Sequence, residues 1–336
     1  MPRFFCSCGQ RVFFENTVCQ TCNANLAYEP NSGQLLSSLG RSHWLDADGN
    51  RFSLCENAVE YHVCNWLIPQ NTGHRYCRAC RLNHMIPSLL DEKNRDNWAH
   101  MELAKRQLLI GLQQQGLAFD TPDQRIRFAF IEDKRSNPLV EEVFVPTGYQ
   151  NGLITVNLLE ADVLQREQQR IALGESYRSL LGHFRHEIGH FYFETLILPY
   201  ADHLQGFRQL FGDETQDYQA ALNAFYQQTN KHISDVFISH YAQAHPLEDW
   251  AECWMHYLHI CDVLTTAIDH QLIPADTDTL SFDQKILKGM PLFVGINALN
   301  RSVGMPDPYP FVITPTVIEK LAFVDFIVRQ TDTRDR

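Results

Sequence analysis

Phe184-Arg185-His186-Glu187-Ile188-Gly189-His190-Phe191 sets two histidines four residues apart around a glutamate. On a helix that spacing places the imidazoles one turn apart on one face, where each can offer a ring nitrogen to the same zinc ion. Glu187 follows the first histidine, so its carboxylate can reach a water on that ion. With 15 histidines in 336 residues, the pattern arises by accident only ~0.04 times per chain. The flanks, Tyr177-Arg-Ser-Leu-Leu-Gly-His183 and Phe191-Tyr-Phe-Glu-Thr-Leu-Ile-Leu198, carry apolar residues at helical spacing. They predict a helix over 177–196 with one buried face. His183 lies one turn before His186, where a structural role is the simpler reading.

Two histidines leave zinc short of a third protein ligand. A histidine six residues after the motif, with a glycine midway, is absent: Phe193 and Leu196 hold those places. Asp202, His203, Asp213 and Glu214 follow in the insertion. A stronger candidate is His245-Pro246-Leu-Glu248-Asp249-Trp250-Ala251-Glu252-Cys-Trp254. Pro246 suits the first turn of a helix, with Glu248 and Asp249 near its positive end. Glu248 and Glu252 share a face, so one can bind the metal while the other accepts the outer N–H of a ligating imidazole. Glu248 is the preferred ligand; Trp250 and Trp254 read as core.

Eight of the ten cysteines lie in the first 80 residues. In a chain whose first residues show no secretion signal, that density favours zinc over disulfides. Cys6-Ser-Cys8-Gly9 and Cys19-Gln-Thr-Cys22, joined by a β-prone segment, read as a zinc ribbon, each pair presenting two thiolates from a turn. Cys55, Cys64, Cys77 and Cys80 make a second set, in which His62 or His74 could stand in for Cys55. Cys253 and Cys261 sit in a helical stretch as core thiols. Residues 1–90 hold seven arginines against six acidic residues, a net +1; the chain's −12 therefore leaves −13 for residues 91–336. An acidic C-terminal part and no basic stripe argue against a nucleic-acid partner. No apolar run approaches the ~20 residues of a membrane span, so a cytoplasmic address is expected.

Between these motifs, residues 97–117 have helical periodicity, and Ile126–Ile131 alternates like a strand. Val143-Phe-Val-Pro146 and Leu153–Asn157 flank Asn151-Gly152, a hairpin signal. The Leu153–Asn157 strand is the candidate sheet edge for holding an extended peptide. Helices are expected over 161–172 and 177–196.

Taken together, Cys6-Ser-Cys8-Gly9-Gln10, Cys64-Asn-Trp66-Leu, Cys77-Arg-Ala-Cys80-Arg-Leu-Asn83 and the two motifs above resemble the bacterial zinc-binding metallopeptidases with an N-terminal zinc-ribbon region. More widely, the second motif is similar to the Glu-x-Phe-Ala-Glu of gluzincins, with Trp250 in place of the Phe. The resemblance implies an α+β fold: a mainly helical zincin-like domain over 91–336 with a small antiparallel sheet, after a zinc ribbon at 1–30 and a second cysteine-rich module at 31–90. It implies one catalytic zinc on His186, His190 and Glu248, with Glu252 behind a ligand, Glu187 as general base and Tyr241 as hydrogen-bond donor to the transition state. Two structural zincs would sit on the eight N-terminal cysteines. The expected substrate is a peptide or protein, with a protein partner recruited through the ribbons. The alternative is a non-catalytic zinc-binding adaptor or regulator on the same fold.

Overall fold

Cys6 and Cys8 lie on one tight turn and Cys19 and Cys22 on another, where two thiolates from one turn can converge. The structure, a computed structural model, describes residues 3–40, 43–121, 125–173, 177–228 and 232–334. Strands β1 (Phe4–Phe5) and β2 (Arg11–Val12) pair antiparallel across the first cysteine turn. Gly9 takes a φ of +86° there, which a side chain would resist. β3 (Asn25–Glu29) and β4 (Gln34–Ser38) form a second hairpin. β5 (Trp44–Leu45), β6 (Arg51–Leu54) and, after the short helix α1 (Glu56–Glu60), β7 (Leu67–Pro69) make a three-stranded antiparallel sheet. Ala27, Trp44, Phe52 and Leu67 are its buried core. Phe4, Phe14, Tyr28 and Trp66 pack ring on ring at 5.3–6.4 Å, tying the first cysteine hairpin to the second cysteine segment.

β8 (Asn83–Met85) leaves the second cysteine set directly. Helix α2 (Glu92–Gln114) follows, and its Trp98, Met101, Leu108, Leu109 and Leu112 are buried at helical spacing. It begins five residues before the expected start, because Asp91 Oδ1 accepts the Lys93 N–H (2.9 Å) and caps the first turn. β9 (Arg127–Ile131), β10 (Gly148–Gln150) and β11 (Leu153–Asn157) complete a four-stranded sheet in the order β10-β11-β9-β8.

The hairpin turn lies at Asn151-Gly152, with φ of +48° and +77°. Its first strand is Gly148–Gln150 and not the expected Val143–Pro146. Val143 and Phe144 are exposed, and the Val145 N–H is taken by Asp133 Oδ2 (3.1 Å) rather than by a neighbouring strand. β11 is not the expected edge: it pairs antiparallel with β10 and parallel with β9, so both its sides are occupied. The sheet is accordingly mixed where an antiparallel one was expected, since the long connection from β9 to β11 lets the chain return in the same direction.

The rest of the chain is helical: α3 (Val163–Leu173), α4 (Leu180–Tyr192), α5 (Ala201–Leu210), α6 (Tyr218–Gln227), α7 (Pro246–Asp269), α8 (Phe282–Ser302) and α9 (Pro315–Arg334). The fold is mixed α+β, as expected. Residues 2–113 and 119–165 pack as one unit, and residues 114–118 and 166–336 as another. Among the described residues no helix is long and apolar enough to cross a membrane.

Candidate metal centre

α4 starts where Ser179 caps it, the hydroxyl accepting the Gly182 N–H at 2.9 Å, three residues later than the expected start. Past Tyr192 it widens into a π turn over Phe193–Ile197. Both histidines of the first motif stand on its face toward α7. α7 begins as its sequence predicts, with Pro246 in the first turn and His245 as cap, Nδ1 accepting the Leu247 N–H (3.1 Å).

The two helices approach closely because Gly189 has no side chain. A Cβ at that position would stand 3.0 Å from Ala251 Cα and 3.1 Å from Trp254 Cβ. Trp250 and Trp254 are fully buried, and Trp250 Nε1 donates to the Gly189 carbonyl at 2.9 Å. Lys320 of α9 holds the first turn of α7 by donating to Asp249 Oδ2 (2.5 Å) and to the Val236 carbonyl (2.7 Å).

This packing brings His186, His190 and Glu248 together, with donor atoms all within 4.8 Å of one another. Glu248 Oε2 lies 2.9 Å from His186 Nε2, and Oε1 lies 3.7 Å from His190 Nε2. A tetrahedral zinc with bonds of ~2.0–2.1 Å sets its ligand atoms about 3.3 Å apart, so the spacing fits. Glu252 Oε1 meets the other nitrogen of His186, Nδ1, at 2.7 Å, which fixes the ring and its tautomer. The Tyr218 hydroxyl donates to Glu248 Oε1 at 2.5 Å.

Burial lowers the affinity of the His186 imidazole for a proton. The Glu248 and Glu252 carboxylates against its two nitrogens outweigh that and hold its pKa well above the usual value. Burial alone would raise the Glu248 carboxyl; His190, His186 and the Tyr218 hydroxyl bring it down to about 2. Burial pushes His190 down to about 4. A carboxylate that stays charged, beside an imidazole left neutral, is a donor set that asks for a cation.

Glu187 is nearly buried, and its charge helps to raise the pKa of both Tyr218 and Tyr241, behind burial and other nearby charges. It follows His186 directly on α4. Tyr241 sits in the turn before α7, its ring 5.8 Å from that of His186 and 5.8 Å from that of Phe225. Of the rival third ligands, Asp202 is exposed and outside the cluster, and the other three are engaged elsewhere. His203 Nδ1 meets the Leu196 carbonyl (2.6 Å), Glu214 pairs with Arg208, and Asp213 accepts from Thr215. His183 is outside the cluster, and burial pushes its imidazole well below the ordinary value. Tyr218 has no place in the sequence reading: a tyrosine 30 residues before the carboxylate it touches carries no spacing signal.

Two further groups can hold metal. Cys6, Cys8, Cys19 and Cys22 converge in the first hairpin, and Cys55, Cys64, Cys77 and Cys80 converge fully buried. Neither His62 nor His74 belongs to the second group; His74 Nε2 faces Arg81 instead, at 3.1 Å. Backbone N–H groups of Trp66, Cys77 and Cys80 point at the sulfurs of Cys64, Cys55 and Cys77 at 3.3–3.4 Å, which favours the thiolates a metal requires. Among the described residues, the three groups suggest three zinc sites. Cys253 is fully buried in α7, and burial pushes Cys261 up to about 12.

Comparison with known proteins agrees with this geometry. Residues 94–327 match the family described as "Putative zinc-binding metallo-peptidase", and residues 3–91 match a zinc-ribbon domain. Uncharacterized proteins of Mycobacterium tuberculosis and Mycobacterium bovis are 40% identical over 342 aligned positions, covering 98% of this chain and 95% of theirs. No solved structure matches the chain.

Proposed function

Because the chain belongs to the zinc-binding metallo-peptidase family, we propose that it hydrolyses peptide bonds at the cluster of His186, His190 and Glu248. The observation that carries this reading is the convergence of that donor set, with Glu187 following the first ligand on the same buried helix. The three ligands leave one of the four positions of a tetrahedral ion open. A zinc held there supplies Lewis acidity to the scissile carbonyl and to the attacking water.

The remaining roles belong to the protein. Glu187 takes the proton of the attacking water and delivers it to the leaving amine. Glu252 holds His186 through Nδ1. Tyr241, in the turn ahead of α7, donates a hydrogen bond to the oxygen on which charge develops. The cysteine-rich modules carry structural zinc and recruit a protein partner or substrate.

Glu187→Gln tests the reading. Glutamine keeps the shape and the hydrogen bond but is not basic at neutral pH. The variant should keep its zinc and lose about 10²–10⁴-fold in turnover. New termini in a proteome-derived peptide library, compared between wild type and variant, report the loss. Cleavage by wild type that a chelator abolishes supports a peptidase. No cleavage by either protein, with a cellular partner still bound, favours the adaptor.

A further inference from the structure

Glu248 has two oxygens, and each faces one of the two histidines: Oε2 at 2.9 Å from His186 Nε2 and Oε1 at 3.7 Å from His190 Nε2. Such a carboxylate can approach a metal with both oxygens and fill the position that a water needs. The Tyr218 hydroxyl prevents this by donating to Oε1 at 2.5 Å, the short distance of a charge-assisted O–H···O⁻ bond. We propose that Tyr218 is a positioning residue that holds Glu248 as a one-oxygen ligand and so keeps the fourth coordination position open. This inference rests on the zinc reading of the site.

The tyrosine is built into place rather than swept in from a loose segment. Asp217 caps α6 by accepting the Ala220 N–H at 2.9 Å, which fixes the backbone at Tyr218. The Tyr218 ring packs edge-on against His245 at 5.2 Å. His245 in turn links the two elements: Nε2 donates to the Gln216 carbonyl (3.2 Å), and Nδ1 caps α7 three residues before Glu248. The residue that sets the start of the ligand helix therefore also sets the height of the tyrosine against the ligand. Glu252 does the equivalent for His186 from the other side, so each of these two ligands has its own outer partner.

The test uses the full chain with zinc left in the two four-cysteine sites. A mild chelator strips the open site, which is then loaded with cobalt(II), and its visible d–d band is recorded. Wild type should show the intense band of a four-coordinate ion. Tyr218→Phe should fold, keep two zincs, and show loss of band intensity as Glu248 turns its second oxygen to the ion. Tyr192→Phe, which removes a buried hydroxyl on α4 that donates to the Ala118 carbonyl, should leave the band unchanged, which separates this effect from a general disturbance of the helix. A Tyr218→Phe band identical to wild type overturns the proposal while leaving the zinc reading intact. Wild type that takes up no cobalt after stripping overturns the zinc reading, and this proposal with it.

Discussion

Glu248 and Glu252 stand one turn apart on α7, yet they meet opposite nitrogens of one imidazole: Glu248 meets Nε2 and Glu252 meets Nδ1. Glu248 also comes within 3.7 Å of His190 Nε2. Glu248→Ala should therefore lose the metal of this site and keep two others, by elemental analysis. Glu252→Gln should retain all three at saturating zinc and bind the third about 10–100-fold more weakly, the usual cost of removing an outer partner. If the losses came in the opposite order, the pair would be assigned backwards. This pair was legible in the sequence because carboxylates four apart after a helix-starting Pro246 have few other uses on a buried face. Tyr218 was not legible. Its contact depends on how the chain folds back between the two motifs, and a tyrosine is not a ligand type that a metal search brings forward.

Between α4 and α7 the decisive feature is the missing side chain at Gly189. Gly189→Ala would push a methyl against Ala251 and Trp254 at 3.0–3.1 Å, an overpacking that typically costs about 1–3 kcal/mol. The helices carry different ligands, so the same change should weaken zinc binding at the His/His/Glu site and leave the cysteine sites alone. Denaturant melts and a zinc competition assay on one preparation check both halves; a stable variant with unchanged affinity would show that the helices can part without cost. At this scale α4 was readable from periodicity, and the start of α7 from Pro246 with Glu248 and Asp249 behind it. The Asn151-Gly152 turn was readable from its residue types, and both residues do take positive φ. The partners of β11 were not readable. Alternation tells which side chains share a face, and it is the same for parallel and antiparallel neighbours.

At the scale of the molecule, the three groups of donors among the described residues predict three zinc ions per chain. Elemental analysis of protein purified without added metal should find close to three, and Cys77→Ser should find two or fewer. Chelators should take the His/His/Glu metal first, because four thiolates close a coordination shell and three side chains do not. A uniform loss of all three would contradict that difference. The first cysteine set was legible from its pairing; in the second only Cys77 and Cys80 stand at knuckle spacing, and it is Cys55, rather than His62 or His74, that completes the group. The composition of the packed units was not: the matched zinc-ribbon segment ends at residue 91, whereas the unit that contains it continues to residue 113 and resumes over 119–165. Strand pairing of β8 with β9 brings this about, and nothing in the spacing of the cysteines announces it.

That interleaving gives the order of synthesis a meaning. β8 begins three residues after Cys80, and its pairing partner β9 ends at Ile131, so both strands are made before His186. At about 5–20 residues per second, Cys80 precedes His186 by roughly 5–20 s. The early thiols thus meet cellular zinc before any imidazole of the later site exists to compete for it. When the metal is scarce, a newly made chain would fill its scaffold first and wait for its last ion.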